Sequence, residues 1–78
     1  MAQQRPSQNQ RPLRFLRGDE VETRTGFSAS QRDVLEHRGE FPRRVQLSTR
    51  CVGWVEHEVD AWCAARIAAR DAMTEEAA

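Results

Sequence analysis

A chain of 78 residues can build one domain with a small core, marginal enough that a partner or a second copy would help. Its 12 basic and 12 acidic residues give a formal net charge of zero, which argues neither for nor against a nucleic-acid partner. Two cysteines are too few for a disulfide framework, no stretch approaches the roughly 20 apolar residues of a membrane span, and the polar first ten residues do not read as a signal peptide.

The basic residues are all Arg. Arg suits bidentate contacts to phosphate, carboxylate or bases, and a GC-rich genome would give the same bias. Their placement is uneven. Residues 1–55 hold ten Arg against six acids, a balance of +4, and residues 56–78 hold two Arg against six acids, a balance of −4. That asymmetry permits nucleic-acid binding at the basic end.

Residues 1–12 are rich in Gln and Pro and low in apolar content. They are expected to form a disordered, solubilising arm. Leu13, Phe15 and Leu16 open the folded part in an extended or turn-like segment. A short helix is predicted from Asp19 to Arg24, with Val21 as its main buried residue. Gly26 then fits the left-handed position after a helix end. Ser28-Ala29-Ser30-Gln31 matches a capping box, so a second helix starts at Ser28 and runs to about Arg38, where Gly39 closes it. Two short helices joined by a Gly-containing turn make a helix-turn-helix.

Phe41-Pro42 stops the second helix. Arg43-Arg44-Val45-Gln46-Leu47 alternates as a strand does, Ser48-Thr49-Arg50 connects, and Cys51-Val52-Gly53-Trp54-Val55 returns. The last helix sets Val55, Val59, Trp62, Cys63 and Ile67 at one helical period, with Glu56, Glu58 and Asp60 near its positive end. Phe27, Leu35, Trp54, Val59 and Trp62 are the expected core. The domain is read as 13–72, with a frayed acidic tail at 73–78.

Chemistry beyond binding is not signalled. Cys51, His57 and Cys63 lack a fourth ligand at zinc-like spacing. The chain has no Gly-rich phosphate loop and no nucleophile paired with a base. No cofactor, no metal and no enzyme are expected.

The order of strand, helix, turn, helix, two-stranded wing and helix resembles the AlpA family of short phage regulators, related to excisionases and MerR-type winged helices. Arg14-Phe15-Leu16-Arg17, Glu20-Val21, Arg24-Thr25-Gly26-Phe27-Ser28, Gly39-Glu40-Phe41-Pro42, Gly53-Trp54 and Glu58-Val59-Asp60-Ala61-Trp62 carry the resemblance, across residues 14–62. It implies an α+β, mostly helical fold: a small winged helix-turn-helix with a two-stranded wing and a C-terminal helix. It also implies a cytoplasmic, non-enzymatic protein of a phage or prophage that binds double-stranded DNA, as a transcriptional regulator or an excisionase-like factor. An integrase, a polymerase or a host protein would be its protein partner, and a monomer or weak homodimer its state, with no membrane involved.

In such a fold the second helix enters the major groove by its N-terminal residues, here Ser28, Ser30, Gln31 and Arg32. The wing lies along phosphates or dips into the minor groove. Arg43, Arg44 and Arg50 are the wing's candidates, with no acid between Phe41 and Val55. The second helix departs from the family pattern. Arg32 and Glu36 stand where relatives are usually apolar, and Asp33 where Tyr is expected. On a helical wheel Gln31, Val34, Leu35 and Arg38 share one side, and Ala29, Arg32, Asp33 and Glu36 the other. Residues 28–40 balance to −1, poor chemistry between two rows of phosphates. Either only the helix tip reads bases, or this helix has left DNA. In the second case Arg32 pairs with Glu36 at i,i+4 on a solvated face, or Arg32, Asp33 and Glu36 form a face for a basic protein partner, as in a phage inhibitor of a host defence complex.

Overall fold

The computed structural model describes residues 12–77, with side chains through Met73. The arm assigned to residues 1–12 therefore lies, but for Pro12, outside the described residues.

Six elements follow one another: β1 (Phe15–Leu16), α1 (Gly18–Thr25), α2 (Ala29–His37), β2 (Val45–Ser48), β3 (Cys51–Val55) and α3 (Glu56–Ala77). The helices end as their punctuation dictates. Gly26, at φ 79°, donates its N–H to Glu22 O at 2.7 Å and stops α1. Gly39, at φ 72°, closes α2 in a Schellman arrangement. Its N–H goes to Glu36 O, and that of Glu40 goes to Leu35 O. α3 runs to Ala77, past the Ala72 at which the sequence reading ends the domain.

The hairpin is the expected wing, with a difference in register. Val45 pairs with Gly53 and Gln46 with Val52, but Ser48 pairs with Cys51. Leu47 is the extra residue of a bulge, and the connection shrinks from three residues to Thr49-Arg50. The hairpin is also joined by a third strand. β1 adds to the other edge of β3, Phe15 opposite Val55 and Leu16 opposite Trp54, giving an antiparallel sheet of order β1-β3-β2. Two residues are too few to show an alternating pattern, and their partner lies some forty positions away, so the sequence alone could not pair them.

β3 is central and apolar, which lets it be covered on both faces. Val52 and Trp54 face the helices. Gly53 lies on the opposite face, where a Cβ would come within 2.9 Å of Leu47 Cδ1 and 3.2 Å of Leu16 O. Only a residue without a side chain lets the flanking strands approach so closely.

The core consists of Leu16, Val21, Phe41, Trp54 and Val59, with Leu35, Val52, Trp62 and Cys63 packed around it. Trp54 and Val59 are at its centre as expected. Trp62 and Phe27 are half-buried at its rim. The Trp62 ring meets Phe41 edge-on at 4.9 Å and Phe27 at 5.9 Å, and its indole N–H donates to Glu40 O at 2.8 Å. The apolar stripe of α3 leaves the core after Cys63, and Ile67 is exposed.

Candidate nucleic-acid interface

The turn between α1 and α2 sets the tip of α2. Ser28 is extended and accepts Gln31 N–H on its hydroxyl at 3.3 Å, while Gln31 Oε1 accepts Ser28 N–H at 2.9 Å. The capping box is complete in both directions. Ser28, Ser30 and Gln31 are all exposed.

Arg32 is not at that surface. It is 5% exposed, its guanidinium lies 5.2 Å from the Trp54 ring centre, and Nη1 donates to Phe27 O at 3.0 Å. Glu22 reaches to 4.0 Å. Arg32 Nε is buried without a hydrogen-bond partner among the described residues. The expectation that Arg32 reads bases, or shares an open face with Asp33 and Glu36, is therefore corrected. Arg32 holds the core-facing position that the resemblance assigns to an apolar residue. The indole face accepts the flat cation, and Gly18, close beside Nη2, leaves it room.

Glu36 is turned inward too. Its side chain is 13% exposed, one oxygen accepts Trp54 Nε1–H at 2.8 Å, and the other accepts Arg44 Nε–H at 3.0 Å. The i,i+4 pair of Arg32 with Glu36 does not form. Arg44 also donates through Nη2 to Asp33 and stacks 5.2 Å from the Trp54 ring centre. Trp54 thus meets two guanidinium groups, and Arg44 straps the base of the wing onto α2. The Glu36 and Asp33 carboxylates hold the Arg44 pKa above its ordinary value, Glu36 foremost. Sequence distance hid this contact, since no acid lies within the hairpin itself.

Two consequences follow for charge. Arg44 offsets one of the two acidic charges that made α2 a poor DNA helix, and Arg44 is no longer one of three open wing cations. Arg43 and Arg50 remain, exposed and without an ion pair among the described residues. Arg50 sits in the hairpin turn. Arg43 lines a shallow depression of about 410 Å³ with Glu36, His37 and Arg44.

Other arginines of the basic half hold the fold together. Arg14 bridges Glu20 at 2.7 Å and Glu56 at 3.2 Å, and Arg24 bridges Glu56 at 2.8 Å and Asp60 at 2.6 Å. This network ties β1, α1 and α3. Arg24 is the main cause of a Glu56 pKa below the usual carboxylate range, with Arg14 adding to it. The Arg17 backbone N–H does the same for Glu20. Arg17 Nε donates to Val52 O at 3.1 Å.

Among the candidates, the structure brings Asp33, Glu36 and Arg44 together, leaves Ser30, Gln31, Arg43 and Arg50 at the surface, and removes Arg32. It adds Val34, which is 50% exposed and lines a shallow depression of α2 with Phe27, Gln31 and Leu35. Cys51 and Cys63 are half-buried free thiols, and no metal-binding group is found among the described residues. None of the described helices is long and apolar enough to cross a membrane.

The family described as Prophage CP4-57 regulatory protein (AlpA) matches residues 14–67. An uncharacterized protein of Enterobacteria phage P4, ORF88, is 47% identical over 57 residues, covering 73% of this chain and 65% of the relative. The chain thus spans just under two thirds of that relative's length. No solved structure matches.

Proposed function

The chain belongs to the AlpA family of prophage regulatory proteins, and from that premise we propose that it binds double-stranded DNA as a transcriptional regulator or excisionase-like factor. The observation that carries this reading is the pairing of Arg44 with Asp33 and Glu36. It relieves the acidic repulsion on α2 while leaving Arg43 and Arg50 uncompensated on the wing beside it. In this reading Ser30 and Gln31 at the α2 tip face base edges, and Arg43 and Arg50 contact phosphates. The protein acts in the cytoplasm, alongside an integrase or polymerase on the same DNA, as a monomer or weak homodimer. The rival reading, an interaction module that captures a basic protein through Arg32, Asp33 and Glu36, keeps only Asp33 openly exposed. Arg32 is buried and both acids are already held by Arg44.

Binding to genomic fragments at two salt concentrations tests the proposal. The parent chain should bind with strong salt dependence. The Arg43→Ala, Arg50→Ala double variant should flatten the slope of log affinity against log salt by roughly 0.9 per lost contact, or about 2 in all. Absence of salt-dependent binding by the parent refutes the DNA reading.

A further inference from the structure

The exposed side of α2 carries a constraint on which base it can read. Glutamine ordinarily reads adenine with both ends of its amide, donating to N7 and accepting from the N6 amino group. One end of the Gln31 amide is already engaged. Its Oε1 accepts the Ser28 N–H at 2.9 Å, and an amide nitrogen cannot take that place because it cannot accept. Nε2 has no partner among the described residues and keeps two donors. The cap fixes the amide and takes one of the oxygen's two lone pairs, so the two Nε2 donors are its wholly uncommitted groups.

Val34 lies one turn further on, at i+3 and so on the same side of the helix. A single exposed valine needs no explanation by itself. Val34, however, borders the same shallow depression as Gln31, with Phe27 and Leu35 as its apolar neighbours. Arg38 shares this side at the far end of the helix, and the polar residues next to Gln31 in sequence point elsewhere. Arg32 is buried, and Asp33 is held by Arg44 toward the wing. What remains beside Val34 is an amide held by the cap, with both donors uncommitted, followed by an apolar lip.

Of the four bases, thymine offers an acceptor and an apolar group together in the major groove, O4 and the C5-methyl. We infer that Gln31 and Val34 form a thymine-reading pair: Gln31 Nε2–H donates to O4, and Val34 packs on the methyl. Gln31 was a candidate base reader from sequence. The fixing of its amide with both donors uncommitted, and the role of Val34 in specificity, come from the cap and the depression. The inference rests on the DNA-binding reading above, and the test separates the two.

The full chain is used to select from a library of duplexes with a randomised centre. Each thymine of the recovered site is then replaced singly by uracil, which removes only the methyl. The parent should show one position at which uracil weakens binding about fourfold, the scale of one buried methyl group. The Val34→Ala variant should be indifferent to that replacement. Gln31→Glu keeps an acceptor for the Ser28 N–H and loses both donors. It should melt like the parent while its preference for the selected site over random duplex falls by roughly tenfold or more.

Enrichment of a site with no uracil-sensitive position overturns the thymine pair and leaves DNA binding intact. So does uracil sensitivity that persists in Val34→Ala. A parent chain that sediments as a dimer and becomes a monomer on Val34→Ala also overturns it, because the depression is then a contact between copies. Failure to enrich any duplex, together with salt-independent binding, defeats the DNA reading and this inference with it.

Discussion

The Arg44 strap makes a prediction that separates a structural arginine from a DNA-contacting one. Arg44→Ala removes the partner of Glu36 Oε1, leaving a carboxylate 13% exposed with the Trp54 indole N–H as its remaining donor. A hydrogen bond between charged groups contributes about 1.5–3 kcal/mol. Arg44 itself is 39% exposed and Asp33 59%, so solvent screening reduces that figure and leaves little for the Asp33 pair. Stacking on Trp54 adds about 0.5–1 kcal/mol. The net loss is about 1.5–2 kcal/mol. In a domain of this size each kcal/mol moves the melting midpoint by roughly 4–8 °C, so a fall of roughly 6–16 °C is expected by calorimetry or circular dichroism.

A second substitution tests the cause. Glu36→Gln keeps an oxygen for the Trp54 N–H and removes the uncompensated charge. Added to Arg44→Ala it should restore part of the midpoint, a coupling of about 1 kcal/mol in a double-mutant cycle. On DNA, Arg44→Ala should lower affinity for all sequences, because Asp33 and Glu36 lose the cation that offsets them beside the phosphates. The salt slope should hold, since no phosphate contact is lost. An unchanged midpoint together with a slope reduced by about 0.9 would mean that Arg44 leaves α2 and touches phosphate, and would refute the strap.

Arg32→Met should fold at least as well as the parent, within about 1 kcal/mol or better, since a buried charge with an unpartnered Nε gives way to an apolar chain of similar length. Arg32→Ala should instead destabilise by leaving a cavity, and neither variant should alter the salt slope. Trp62→Ala should cost about 3 kcal/mol by chemical denaturation, at the low end for a buried aromatic because its ring is only half-buried; an unchanged midpoint denies that α3 packs on Phe41. Glu20 and Glu56 both have pKa values depressed below 4.5. Their contribution is present above that value and is lost as pH falls through their folded pKa values, so the melting midpoint should fall as the pH is taken below 4.5. Glu56→Gln should flatten that acid limb, and an unchanged limb removes Glu56 from the account.

The parts of this fold that could be read from sequence are those fixed by neighbours along the chain. Ser28 with Gln31, Gly26, Gly39 and Phe41-Pro42 each act within a few residues, and the helix ends fall where they put them. Val21, Trp54 and Val59 show in the apolar period. Phe41 was read as a helix stop, and its burial appears only when Trp62 closes over it. The two-residue β1 and the bulge at Leu47 depend on partners distant in sequence, and no local pattern marks them.

Charge was hardest to read, because a net balance does not say which charges meet. The acidic count on α2 argued against DNA, and three hairpin arginines argued for it. Both counts change with one contact, Arg44 on Asp33 and Glu36. The helical wheel put Arg32 and Glu36 with the polar residues and so toward solvent. The sheet instead brings Trp54 beneath them, where a guanidinium can stack and a carboxylate can accept the indole N–H. Polar residues at family-apolar positions need not mean a helix that has changed its face. Here they mean the same buried face, built with a cation, a carboxylate and an indole, while Ser30, Gln31 and Val34 stay exposed on α2.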